Sequence, residues 1–120
     1  MVVDSYSVFV NMFAALDAAW EDGVTDESLR AYLSESSPYT FEGEGSADPA
    51  VWAEFCQQFL ARFQGNAVEL EDSHAFIVGY LKRIGDEYAK AYQGEVPLAE
   101  TFLEYAPLET WLEVFESTKR

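Results

Sequence analysis

Few side chains in this sequence are equipped for chemistry, and the setting of each says which chemistry is open to it. His74 is the one histidine. It follows Glu71 and Asp72 and shares a helical side with Ile77, Leu81, Ile84 and Tyr88. An imidazole oriented by a neighbouring carboxylate can act as a general base, so His74 with Asp72 defines one candidate pocket. No nucleophile is indicated beside them, and the competing expectation is a half-buried histidine in a first helical turn. Cys56 is the one cysteine, set between Phe55 and Phe59 on an apolar helical face. A reactive thiolate needs a helix N-terminus or a cationic neighbour; mid-helix among aromatics, Cys56 is expected to be a buried small hydrophobe. A single Cys and a single His also exclude an internal disulfide framework, a multi-thiolate zinc site and every two-histidine motif.

Oxygen ligands are offered by Glu42, Glu44 and Asp48, but their spacing departs from the calcium-binding EF-hand loop, and Asp48 is placed to cap a helix. Gly43 and Gly45 flank Glu44, and a phosphate cradle has no use for carboxylates at its centre. No metal or other cofactor is expected.

Charge patterning is the strongest global signal. The chain of 120 residues carries 22 acidic and seven basic residues, a formal net charge of −15. Such a balance repels phosphate backbones and anionic bilayers, which argues against nucleic-acid and membrane partners. No apolar run approaches the about 18 residues of a membrane span, and the opening MVVDSYSVF lacks a signal peptide's basic and unbroken apolar regions. The expectation is a soluble cytoplasmic protein. The acids fall into stripes: Glu100 with Glu104, then Glu109, Glu113 and Glu116 at helical spacing. Between Ala91 and Thr118 no basic residue interrupts them. A solvated face is one reading; a docking face for a basic protein is the other, since complementary fields speed association and exclude wrong partners. Adaptation to high salt fits less well with nine Phe, seven Tyr and three Trp.

The elements that must position these residues read as helices throughout. Phe9, Met12, Phe13, Leu16, Ala19 and Trp20 predict a first helix over about 6–21, stopped by Gly23. Thr25, with Asp26 and Glu27, starts a short second helix carrying Leu29, Tyr32 and Leu33. Asp48 and Pro49 start a third, striped by Val51, Trp52, Phe55, Cys56, Phe59, Leu60 and Phe63 and ending at Gly65. The fourth and longest follows Glu69, Glu71, Asp72 and Ser73 and ends near Gly94. Pro97 opens a fifth with Leu98, Phe102 and Leu103, and Pro107 a sixth with Leu108, Trp111, Leu112 and Phe115. Gly79 and Gly85 lie inside the fourth helix, where close approach of a neighbour or a bend would account for them. No strand-like alternation of useful length is present.

One stretch breaks the pattern. In SPYTFEGEGSADP, the pair Tyr39 and Phe41 sits among Glu42, Glu44 and glycines. Two aromatics in such a loop either plug the core or stay out as binding hot spots, and anchoring is the expectation because a free aromatic is costly in water. The overall expectation is all-α: one domain over residues 1–120, a compact bundle of five or six helices with an irregular acidic loop at about 36–48. Functionally the sequence points to a small acidic interaction protein that binds a cationic protein. Its candidate contacts are Glu100, Glu104, Glu109, Glu113, Glu116, Tyr39, Phe41, Glu42 and Glu44. In class only, this is the character of small acidic helical proteins that inhibit nucleases, confer immunity to them or mimic nucleic acid. The alternative is an enzyme or small-molecule binder with a pocket near His74, Asp72 and the 37–48 loop.

Overall fold

Two short strands start the two longest helices. In the computed structural model, which describes residues 1–39 and 43–118, β1 (Val2–Asp4) runs antiparallel to β2 (Ala67–Glu69) with Val3 opposite Val68. Both valines are buried. Main-chain bonds from Ser5 N–H to Asn66 O and from Leu70 N–H to Met1 O, each 2.9 Å, extend the ladder at its ends. β1 leads straight into α1 (Ser5–Glu21) and β2 into α4 (Leu70–Tyr92), so strand pairing sets those two helix starts side by side. The sequence pattern misses the strands because three residues are too few for a period of two to show.

With α2 (Glu27–Ser36), α3 (Pro49–Phe63), α5 (Leu98–Tyr105) and α6 (Leu108–Thr118), the described residues form a compact all-α bundle of six helices. α4 is the spine, against which α2, α5 and α6 pack, while α1 contacts α2, α3 and α5. Aromatic rings fill the centre. Phe55 is fully buried, and its ring meets those of Phe9, Trp52, Phe76 and Tyr80 at centroid distances of 5.0, 5.8, 5.6 and 5.1 Å. Tyr32 and Tyr80 are buried too, but their hydroxyls hydrogen-bond each other at 3.0 Å, so neither polar tip is left unsatisfied. Burial raises both phenols above the ordinary tyrosine value.

Asp48 caps α3 as expected, accepting from Ala50 N–H at 3.0 Å, with Pro49 at the first helical position. α2 differs, because its N-cap is Asp26 and not Thr25. Asp26 Oδ2 accepts from Ser28 N–H (3.0 Å) and Leu29 N–H (3.2 Å), while Oδ1 accepts from Glu95 N–H (2.7 Å) and Val96 N–H (3.1 Å). A carboxylate has two oxygens for two sets of donors, and a threonine hydroxyl has one. The helix ends also shift slightly. α3 and α4 stop on Gln64 and Gln93, both left-handed at φ 57°, one residue before the expected glycines.

Those glycines have distinct reasons. At Gly94 an added Cβ would stand 2.7 Å from the backbone nitrogen of Ser28, so only glycine lets the α4–α5 connection lie on the start of α2. At Gly85 the same atom would be 3.7 Å from Leu98 Cβ, which is ordinary contact and fits the expected close approach. Gly79 has no such neighbour; a Cβ there would meet only the end of the Arg83 side chain, at 3.9 Å.

The irregular segment is closed by hydrogen bonds at its base. Ala47 N–H donates to Ser37 O and Asp48 N–H to Glu35 O, both at 2.8 Å. Ser46 is buried; its hydroxyl donates to Asp48 O at 2.5 Å and accepts from Trp52 N–H at 3.0 Å. The Tyr6 hydroxyl reaches the Gly43 carbonyl at 3.4 Å. Closed in this way, the loop needs no aromatic plug, which corrects the expectation for Tyr39. Its side chain is 70% exposed, and its ring meets the edge of Phe13 at 5.7 Å between centroids. Phe41 and Glu42 lie outside the described residues.

Two stability tests follow from the junction of α2 with the α4–α5 connection and from the glycines. Desolvation pushes the Asp26 carboxyl upward, but the bonds from Glu95, Val96, Leu29 and Ser28 outweigh it and hold the group below its ordinary value. A depressed carboxyl contributes fully above its unfolded value of about 3.9 and loses that contribution as pH falls through the folded value. Asp26→Asn should therefore cost about 2 kcal/mol near neutrality in urea denaturation, and the gap from the parent should narrow below about pH 4. Among the glycines, Gly94→Ala should destabilise by about 1–3 kcal/mol through overpacking against main chain. Gly85→Ala should be close to neutral, and Gly79→Ala should stabilise by about 0.8 kcal/mol through helix propensity. Thermal melts that reverse the order of Gly94→Ala and Gly79→Ala would contradict this assignment.

Candidate functional site

Pro97 and Pro107 each restart the chain as a helix, and the two helices bury one face apiece. α5 buries Leu98, Ala99, Thr101 and Phe102; α6 buries Trp111 and Phe115. The remaining surface carries every glutamate of the predicted stripes: Glu100, Glu104, Glu109, Glu113 and Glu116 are all exposed. Leu103 and Leu108, which the sequence assigns to the apolar stripes, are also exposed, as is Val114. These two helices thus present apolar side chains set among acids.

The support beneath comes from α4. Trp111 Nε1–H donates to Ser73 Oγ at 3.0 Å, and the Ser73 hydroxyl donates to Leu70 O at 2.6 Å. His74 Nε2–H donates to the Ala106 carbonyl at 2.7 Å, at the elbow between α5 and α6. The imidazole is 8% exposed, with its centroid 5.4 Å from Phe102 and 6.0 Å from Trp111. At the far end of α5, Tyr105 OH donates to the Asp22 carboxylate at 3.0 Å, tying that helix to the end of α1. His74 therefore braces the elbow. Asp72 is exposed and makes no hydrogen bond to it among the described residues. The 37–48 loop sits against Tyr6, Phe13 and Trp52, and shares no partner with His74. The components of the alternative pocket are not brought together.

Ion pairing leaves the acidic surface unneutralised. Among the described residues the salt bridges are the Met1 amine with Glu69 at 3.3 Å and Arg30 with Glu27 at 2.7 Å, and neither involves α5 or α6. Cys56 is half-buried, where the expectation was full burial, and desolvation followed by the field of Glu44 pushes its thiol up, away from a reactive thiolate. Glu44 itself is exposed. No cluster of three or more His, Cys, Asp or Glu is arranged to hold a metal among the described residues. None of the described helices is long and apolar enough to cross a membrane.

A feature the sequence reading missed is a cleft of about 460 Å³ between α3 and α4, with Arg62 and Arg83 on its walls. The signal available was the run Ala75, Gly79 and Arg83 at steps of four, which places two small residues and a cation on one side of a helix. Comparison of the chain with protein-family models, curated proteins and solved structures finds no match.

The brace assignment for His74 has a direct test. His74→Phe keeps much of the ring volume but leaves the Ala106 carbonyl without its donor, and should lower unfolding free energy by about 1–3 kcal/mol. Asp72→Asn should leave stability within about 0.5 kcal/mol of the parent, as for other surface substitutions. Equal losses in the two variants would restore a coupled pair.

Proposed function

We propose that this protein docks a cationic protein through the acidic surface of α5 and α6. The observation that carries the reading is the combination of five exposed glutamates, none in a salt bridge among the described residues, with exposed Leu103, Leu108 and Val114 on the same two helices. A surface built for solubility alone has no need of exposed leucines, whereas a recognition surface combines apolar contact with a charged rim. The hydrogen bonds from Trp111, His74 and Tyr105 support the reading further, because they fix the two helices before any partner arrives. The partner's matching feature is a lysine- or arginine-rich surface, of the kind that nucleic-acid-binding proteins carry. Exposed Tyr39 is a candidate contact outside this face. A cytoplasmic setting, where a lone thiol stays reduced, suits this chain.

An enzyme or small-molecule binder centred on His74 has less support, since that imidazole is already committed to Ala106 and its neighbour Asp72 faces solvent.

The test uses a basic partner captured from the native host, with association and dissociation rates measured for the parent and for Glu109→Gln/Glu113→Gln/Glu116→Gln. The triple variant should keep its fold and associate about threefold to tenfold more slowly at low salt. The difference should shrink as the Debye length falls to about 8 Å in physiological salt. An unchanged association rate at low salt would assign these glutamates to ordinary solvated surface.

A further inference from the structure

A second surface runs against the charge of the whole molecule. Five basic side chains are described: Arg30, Arg62, Lys82, Arg83 and Lys90. Arg30 is paired with Glu27, while Arg62, Lys82, Arg83 and Lys90 form no salt bridge among the described residues. Arg62 and Arg83 line the α3–α4 cleft, and no acidic side chain does. Arg83 donates to Gln58 Oε1, and Gln58 Nε2–H in turn donates to Glu54 Oε1 at 3.2 Å. Gln58 thus links the Arg83 guanidinium to the Glu54 carboxylate through its own amide. Arg62 lies over the Phe63 ring, 5.1 Å from its centroid. The guanidiniums are ordered by neutral groups, which leaves N–H donors open toward the cleft.

The floor is apolar. Phe76 is nearly buried, and Ala61, Ala75 and Gly79 complete the hollow. Gly79 is the glycine with no packing neighbour other than Arg83. Gly85 and Gly94 are accounted for by Leu98 and Ser28; at Gly79 an added Cβ would meet only the end of the Arg83 side chain among the described residues, and Gly79 lines the cleft. Two guanidiniums without an ion-pair partner among the described residues, above an apolar floor, match a ligand with an anionic head and an apolar body. The net charge of −15 narrows the class. A polyanion or a phosphate dianion is repelled by the field of the molecule in proportion to its charge, and a monoanion is penalised least.

We propose that the cleft between α3 and α4 is a binding site for a small monoanionic carboxylate carried on an aromatic or branched apolar group. The carboxylate meets Arg83 and Arg62, and the apolar body rests on Phe76 over Gly79. This site is separate from the acidic face of α5 and α6 and stands or falls independently of it.

Phenylacetate is the probe. Titrated into the isotope-labelled full chain at low ionic strength, it should shift the amide resonances of Ala75, Gly79 and Arg83 saturably. Its neutral counterpart 2-phenylethanol, and inorganic phosphate, should each bind at least about tenfold more weakly, the factor one charge-assisted hydrogen bond commands. Arg83→Gln should lose at least about the same factor. Gly79→Leu, which fills the floor, should abolish the saturable shifts while the rest of the spectrum stays native. If Gly79→Leu fails to fold, Arg62→Gln and Arg83→Gln, both at exposed positions, carry the test by themselves. The proposal is overturned if phenylacetate gives no saturable shift. It is equally overturned if phenylethanol or phosphate binds as tightly, or if the folded cleft variants bind phenylacetate as the parent does.

Discussion

A single carboxylate, Asp26, joins parts of the chain that are about seventy residues apart. It caps α2 with one oxygen and holds the connection between α4 and α5 with the other. The start of α2 supplies two of the donors and a favourable dipole for the negative charge, and glycine at position 94 lets the two backbones come close enough to share it. The tightness of the junction has a cost, since the hydroxyl of Ser28 is buried there with no hydrogen-bond partner among the described residues. What the junction secures is the direction in which the chain leaves α4. That direction places α5, whose elbow with α6 is then seated by His74 and Trp111. The acidic surface therefore depends on a clamp lying outside it.

The charge distribution and the core answer each other. A chain with this excess of acids opposes its own compaction, and few cations are spent on relieving that repulsion. The opposing force is apolar burial, concentrated in the rings around Phe55 and in the Trp111–Phe102 contact under α6. Against this background Arg62 and Arg83, on either wall of one cleft, form no ion pair among the described residues. The described residues carry an acidic surface on α5 and α6 and a cleft between α3 and α4 lined by two arginines.

Much of this was legible in the sequence, and the exceptions share a cause. Helix identities, the Asp48–Pro49 start and most of the buried stripes of α1, α3 and α4 follow from local periodicity and capping, with Leu60 of α3 exposed where the stripe predicts burial. The strands did not show because each is three residues long and stabilised by a partner more than sixty residues away. Asp26 was passed over in favour of Thr25 because the donors of Glu95 and Val96, which need a second oxygen, come from the other end of the fold. Leu103 and Leu108 read as core because propensity and spacing do not say which side of a short helix meets its neighbours. The glutamates were placed correctly on the surface, since the cost of burying unpaired charge leaves no other outcome. Arg62 and Arg83 escaped notice because their meeting depends on how α3 packs against α4.

The pairing of residues 2–4 with 67–69 spans one interval of the chain, and the hold of Asp26 on residues 95 and 96 spans another. The intervals cross: the second opens inside the first and closes beyond it, like interlocked brackets. No cut between residues 27 and 66 yields a piece that contains both partners of either closure. During synthesis the first strand waits for β2 to emerge, and Asp26 waits longer still, for a turn that follows the whole of α4. A chain severed in the 37–48 segment would be two fragments with complementary unsatisfied ends, able to complete their hydrogen bonds only by finding each other.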